Sequence, residues 1–523
     1  MKSTYQLIGA GLVLLLMAVT ACSSPANSDP DPGTQKPGSP AAPVIGSVTP
    51  GERQLTVAWS AVENAGSYSV WYSRTDNSAG AVRAADGITG TRAVVSGLKD
   101  ITEYYVWVRA RNNAGDGGFS ASMRETTFSA SALYRADGGN KTRVDVPGDR
   151  RSASGLFELF MDEARDGDEF ILELGSAGDD DPIPAGCDLR LPAGVAASIK
   201  LTGKDGTAVL QTGSGGGYAF FLWKGVTLTL GQGITVKGTQ SNGTSLVHVY
   251  ENSTLIMEAG SKITGNTTNG TSGGGVSVVN TGTFIMEGGE ISGNGSADVF
   301  GGGVYTAGSF TMNGGKISGN SSADGAGIHV DVTGNFTLNG GEITGNRAAS
   351  AAAGFSFTAG GGVSTSGTFT MTGGTISGNT APGSGNTIPG YGGGVFIGPG
   401  GTFSIEAGTI GNNSASSYGG DIFVWGSLNL RGAAPDTIGI ALVKDTYINL
   451  TGPLGGTGTA AIVLPGIFNS IPFSLDLEEA KDKPVLANGG IGGGFTAAVS
   501  RFGLHGDAAG YTVDSSGILR KLP

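Results

Sequence analysis

GGGVYTAGSFTMNGGKISGN, residues 301–320, decides the fold. Its Phe310 recurs in equivalent positions as Phe284, Phe336, Phe369 and Phe403, and its Asn320 as Asn294, Asn346, Asn379 and Asn413. A weaker copy runs from Leu255 to Asn266 with one extra residue. A unit this short cannot close a core alone and must stack on its neighbours. Phe310, Met312 and Ile317 alternate with polar or small residues and are separated by a Gly-Gly corner. Strands this short, stacked in register about 4.8 Å apart, predict a right-handed single-stranded parallel β-helix over residues 201–430. In it the Phe, the Met or Leu, and the Ile residues each form an internal column. Asn266, Asn294, Asn320, Asn346, Asn379 and Asn413 form a structural ladder at a turn, with left-handed backbone expected at the Asn itself.

Successive Phe residues from 284 are 26, 26, 33 and 34 apart, and the extra residues fall after the Asn. Insertions at 347–359 and 380–390 are therefore expected to bulge on one side, where function on a solenoid concentrates.

Working outward, residues 128–200 read as an N-terminal cap. Between Ser152 and Asp166 apolar residues recur at helical spacing, as Leu156, Phe160 and Ala164 with Phe157 and Met161 beside them. Ser152 or Ser154 serves as N-cap and Gly167 as the stop. Residues 431–523 carry strand alternation without the Phe and Asn columns. They read as last coils and a C-terminal cap closed by a hairpin at Tyr511–Leu519.

Residues 43–127 change to period two: Leu55, Val57, Trp59, then Tyr104, Val106 and Val108. This alternation predicts an antiparallel sandwich. Pro43, Trp59, Leu98, Thr102, Tyr104, Ala110, Asn112 and Gly115 resemble the pattern of a fibronectin type III domain. The resemblance implies a spacer or binding module with no active site, with Tyr104 in the tyrosine-corner position. The fold class is thus all-β, a fibronectin type III sandwich followed by the β-helix with its capping helix.

Residues 1–22 have the parts of an export signal: Lys2, then a mostly apolar run over 8–21 that is too short to span a bilayer. Val19-Thr20-Ala21-Cys22 resembles the bacterial lipobox, which implies lipidation of Cys22. Residues 23–42, rich in Ser, Pro, Asp and Gly, read as a linker. Gly-Gly-Gly-Val and Ile-Ser-Gly-Asn together resemble the repeats of chlamydial polymorphic membrane proteins. The Met-x-Gly-Gly-x-Ile-Ser-Gly-Asn unit is closer still to spirochaete-type β-helix surface proteins. That resemblance implies surface display and adhesion. No run of membrane-barrel strands follows the repeats, and the lipid anchor stands in for one.

Composition narrows the chemistry. The chain has 523 residues, 96 of them Gly, a net charge of −12 and only 14% charged residues. No basic stripe suits nucleic acid. From 266 to 430 there are eight acids and two bases, with no Asp pair on neighbouring units beside a basic partner. Glu290, Lys316 and Glu342 occupy equivalent positions and read as a surface charge ladder. His329 with Asp331 is the closest His–carboxylate pairing in the array and lacks a nucleophile or metal partner. Asp179-Asp180-Asp181 reads as a solvated loop rather than a calcium site, and Cys187 as a packed thiol. No catalytic residue, metal or cofactor is expected. The partners implied are the membrane, through lipid on Cys22, and glycans or extracellular proteins. The reading is a non-catalytic, lipid-anchored envelope protein, exported to the outer membrane and surface-exposed. The alternatives are a carbohydrate-active β-helix enzyme and a purely structural stalk.

Overall fold

The computed structural model describes residues 38–99, 102–127, 131–147, 152–175, 183–204, 206–213, 216–270, 273–349, 356–383, 388–432, 438–442, 446, 448–454, 460–463, 486–488, 502–505 and 511–521. Cys22 and Asp179–Asp181 lie outside them. The chain divides into two compact units near residue 126.

The first unit is a β-sandwich. One sheet holds β1 (Ile45–Gly51), β2 (Gln54–Trp59) and β5 (Arg92–Ser96), in the order β1-β2-β5. The other has the order β4-β3-β6-β7, with β8 also on β6; these are β3 (Ser67–Ser73), β4 (Val82–Ile88), β6 (Glu103–Asn112), β7 (Gly115–Phe119) and β8 (Met123–Thr126). The period-two residues face inward: Leu55, Val57, Val70, Val106 and Val108 are buried. Trp59 packs on Tyr68 with ring centroids 5.4 Å apart, and buried Tyr104 meets Tyr72 edge-on at 5.7 Å.

The second unit is a parallel β-solenoid whose coils each contribute to three long sheets. The Phe sheet contains Thr283–Met286, Ser309–Met312, Asn335–Leu338, Thr368–Met371 and Thr402–Ile405, paired in parallel so that Phe lies on Phe. Successive rings stack with centroids 4.5, 4.8, 4.7 and 4.2 Å apart, and all five are buried. Each such side chain taken out of water contributes about 1.5–3 kcal/mol. The Ile sheet stacks Ile291, Ile317, Ile343, Ile376 and Ile410 in the same way. The Val sheet runs through Val276–Val278, Val304–Thr306, Ile328–Val330, Val363–Thr365, Val395–Ile397 and Ile422–Val424. Short strands after each Asn, such as Ser321–Asp324 and Arg347–Ala348, form a fourth, corner sheet.

Parallel stacking starts well before residue 201. Glu169–Leu174 already pairs with Ala197–Gly203, and Cys187–Leu189 with Phe220–Leu222. These early coils use Leu and Ile without the Phe and Asn columns, so nothing in their sequence separates them from any other strand. Ahead of them, α1 (Ala153–Glu163) is capped by Ser152, whose Oγ accepts from Gly155 N–H. It buries Leu156, Phe157, Leu159 and Phe160, and Phe157 and Phe160 meet Phe220 and Phe170 edge-on. The helix ends at Glu163, short of the expected Asp166, because the Arg165 guanidinium donates to the carbonyls of Asp162, Glu163 and Ala164. At the far end Tyr511–Val513 and Leu519–Lys521 form the antiparallel hairpin.

Candidate functional site

The Asn ladder is continuous, and its residues from Asn242 to Asn379 are buried. At Asn294, Asn320, Asn346 and Asn379 the amide Nδ2 donates to the Oδ1 of the next Asn and to an Ile carbonyl one coil back. For Asn320 these partners are Asn346 at 3.0 Å and Ile291 at 3.0 Å; for Asn346 they are Asn379 at 2.9 Å and Ile317 at 3.0 Å. The backbone N–H of each Asn donates to the same Oδ1. Asn266 and Asn294 join from above, and Asn413 closes on Asp421. Asn242, which the repeat pattern does not mark, extends the ladder through Asn266 at 2.9 Å.

The left-handed backbone is not at these Asn residues. It falls one position earlier, on Gly293, Gly319, Gly345 and Gly378 at φ 63–65° and on Asn412 at φ 58°. The preceding residue turns the chain so that the Asn itself keeps ordinary backbone and points its amide inward. The ladder also explains the third Gly of each Gly-Gly-Gly. A Cβ on Gly303 would lie 2.7 Å from the Gly327 carbonyl and 3.0 Å from Asn320 Nδ2. Every functional group of the ladder is therefore committed to holding the turn.

Charged residues form a second, exposed ladder. Glu290, Lys316 and Glu342 stack in register, Lys262 pairs with Glu290 at 3.3 Å, and Lys316 lies 3.9 Å from Glu342. The Ser292 hydroxyl, with Lys262 behind it, holds the Glu290 carboxyl below the usual range. A groove of about 630 Å³ runs beside it, lined by Lys262, Glu287, Glu290 and Lys316. Pairs this exposed contribute about 0–1 kcal/mol each.

His329 does not pair with Asp331. Asp331 accepts from the Tyr305 hydroxyl and from Val332 N–H, because the chain leaves the strand at that residue. His329 is 5% exposed, and its Nδ1 stands 3.6 Å from Asp324 Oδ1. Phe300 and Tyr305 stack against it at 4.5 and 5.7 Å. Cys187 is packed against the core, and burial pushes its thiol up to about 12, which keeps it protonated and unreactive. Among the described residues no cluster of three or more His, Cys, Asp or Glu could hold a metal ion. No helix among them is long and apolar enough to cross a membrane.

The outer face of the Val sheet carries the least expected feature. Its middle residues point away from the core and stack in register as Asp188, Phe221, His248, Ser277, Tyr305, His329, Ser364, Phe396 and Phe423. At the N-terminal coils this column and its flanks form a part-exposed aromatic strip of Tyr218, Phe221, Trp223, His248 and Tyr250. Phe221 stacks with His248 at 4.6 Å and with Trp223 at 4.7 Å, and the Arg190 guanidinium lies over the Trp223 ring at 3.9 Å. Trp223 Nε1 donates to Asp188, which fixes the indole. Burial lowers the His248 imidazole to about 4, so the strip carries no imidazolium at neutral pH. The sequence signal was present in Phe-Phe-Leu at 220–222 and Val-His-Val at 247–249, where one residue lies between two inward ones.

Residues 40–126 match the family model of the fibronectin type III domain. No curated protein matches the chain. Among solved structures, the chain is similar to a Fn3-like protein from Clostridium thermocellum, at 23% identity over 17% of this chain and 92% of that one, with a TM-score of 0.15. It is similar to pectate lyase PelI from Erwinia chrysanthemi at 11% identity, over 83% of this chain and 88% of that one, with a TM-score of 0.15. A Family 28 exopolygalacturonase from Yersinia enterocolitica shares 10% identity over 82% of this chain and 94% of that one, with a TM-score of 0.21. These likenesses carry no inference about substrate or activity.

Proposed function

We propose that the chain is a non-catalytic binding protein of the bacterial envelope, anchored by lipid on Cys22, that displays its solenoid for contact with glycans or extracellular proteins. The observation that carries this reading is the part-exposed aromatic strip at Tyr218, Phe221, Trp223, His248 and Tyr250. Aromatic side chains with polar tips supply large contact area at low conformational cost, and they are enriched where proteins bind one another. The acids support the same reading. Glu290, Glu342, Asp331 and Asp421 are each engaged in an ion pair or hydrogen bond that a structural role explains. Display on the cell exterior is proposed from the lipobox-like Val19–Cys22, the linker at 23–42 and the resemblance of the repeat motifs to those of spirochaete-type surface proteins.

An unbiased array of glycans and matrix proteins tests it, probed with the wild-type protein and a Tyr218→Ser/Tyr250→Ser double variant. At least one ligand is expected to bind the wild type and to lose about tenfold or more in the variant, the scale of a truncated interface anchor. An array on which the two proteins bind alike, or neither binds, overturns the proposal.

A further inference from the structure

The three long sheets turn three different faces outward. The Ile sheet carries the charge ladder, and the Val sheet carries the aromatic column. The Phe sheet carries neither. Alternating with its inward Phe and Met or Leu residues, its outward positions stack in register as two rows. One row is Thr283, Ser309, Asn335, Thr368 and Thr402; the other is Ile285, Thr311, Thr337, Thr370 and Ser404. All ten are part-exposed or exposed, and none is charged or aromatic. At the strand ends Asn313, Asn339 and Thr372 add a third row, hydrogen-bonded from coil to coil at 2.8 and 2.6 Å.

This face is a rigid lattice. Thr is β-branched and stiff at χ1, so its methyl and hydroxyl hold fixed positions. The sheet beneath turns little: successive Phe rings are inclined by 6, 19, 18 and 2°, below the roughly 20–25° between neighbouring strands of an ordinary sheet. Strands stack about 4.8 Å apart, and alternate residues of one strand lie about 6.6 Å apart. The hydroxyls are also unspent. Among the described residues, only Ser404 of the ten takes a side-chain hydrogen bond from protein, from Asn429 at 3.2 Å.

We infer that the outer face of the Phe sheet binds ice. A rigid grid gains all its contacts together only from a partner with the same repeats. Its two spacings lie close to those between water oxygens on the faces of hexagonal ice. Hydroxyls join such a lattice as donors and acceptors, and the methyls beside them fill its gaps. Other ordered partners fit less well. A mineral or an ionic polymer needs charge, which the neighbouring Ile-sheet face has and this one lacks. A crystalline polysaccharide packs its sugar rings on aromatic faces, and the aromatic rings of this sheet are buried inside. The inference is independent of the aromatic strip.

The test grows ice slowly on a cold finger in a solution of the purified full-length protein and measures the fraction taken into the ice. Growing ice excludes solutes that do not bind it. The wild type is expected to enter the ice. Thr337→Lys/Thr370→Lys places two ammonium groups on adjacent coils of the face. It is expected to lose about tenfold or more of the uptake, since burying a charge against a neutral lattice is costly. Thr344→Lys/Ser377→Lys places the same charges on the Ile-sheet face of the same two coils and is expected to enter as the wild type does. Circular dichroism checks that each variant folds, and Thr370→Lys alone replaces the double variant if that one misfolds. Exclusion of the wild type from ice, or equal uptake by the two lysine variants, overturns the inference. Loss of uptake in Tyr218→Ser/Tyr250→Ser would move the site to the strip and overturn it too. So would sedimentation with crystalline cellulose or chitin that depends on Thr337 and Thr370 in the absence of ice uptake, which assigns the face to a polysaccharide lattice instead.

Discussion

Replacing Asn346 by Ala isolates what one rung of the ladder contributes. The side chain is fully buried. Its Nδ2 donates to Ile317 O at 3.0 Å, Asn379 Oδ1 at 2.9 Å and Thr344 O at 3.3 Å, while its Oδ1 accepts from Asn320 N and Nδ2, both at 3.0 Å. After truncation Asn379 Oδ1 still accepts from the backbone of residue 346, and Asn320 Nδ2 still donates to Ile291 O. Asn320 N–H, however, loses its acceptor, and Ile317 O loses a donor. Each buried polar group left unmet costs about 1–3 kcal/mol, so with two such groups the variant is expected to lose about 2–6 kcal/mol. Asn313→Ala is the control. Asn313 also belongs to a hydrogen-bonded row, with Glu287 at 3.0 Å and Asn339 at 2.8 Å, but that row is exposed. Its loss should stay within about 0.5 kcal/mol. A stacked array need not unfold as one unit. Urea melts followed by circular dichroism are therefore paired with hydrogen exchange on peptides spanning 317–348. Asn346→Ala should speed exchange there first. If it costs no more than Asn313→Ala, the ladder is not what holds this turn.

The strip predicts a pH dependence. The His248 pKa falls from 6.5 in the unfolded chain to about 4 in the folded one, so the unfolded state binds more protons between those values. Stability is then fully present above pH 6.5 and lost as pH falls toward 4, by about 1–2 kcal/mol once partial exposure is discounted. His248→Phe should flatten melting temperature against pH in that window, and an unchanged slope would count against the assignment. Lipidation is checked by feeding labelled palmitate to a bacterial host: the wild type is expected to take up label and Cys22→Ser to remain bare. On intact cells, added protease should degrade the displayed protein, and full protection would sink the claim of surface exposure.

How much of this could be read in advance depended on where the side chains point. The Phe, Met and Ile columns were legible because inward residues repeat at a constant offset, and stacking then follows. The ladder was legible at Asn294 to Asn413 for the same reason. Asn242 was hidden because it stands four residues after its Gly, Gly238, whereas Asn266, Asn294, Asn320, Asn346 and Asn379 directly follow theirs. The left-handed residue was misplaced by one because Gly and Asn both tolerate that backbone, and only hydrogen bonding from the Asn amide decides between them. The aromatic strip went unread for a different reason, although its signal was there. Phe221 lies between Phe220 and Leu222, so it reads as part of an apolar run; its outward direction appears only once its neighbours are fixed in the core. His329 similarly looked closest to Asp331 along the chain, while the corner sheet brings Asp324 to it instead.

The claim that this solenoid binds without reacting is tested most directly by incubating the purified full-length protein with plant, algal and host polysaccharides, polygalacturonate included, and measuring new chain ends. The account predicts no depolymerisation above a heat-inactivated control on any of them. Reproducible depolymerisation, abolished by a single carboxylate substitution such as Asp324→Asn or Asp331→Asn in a protein that still folds, would contradict it.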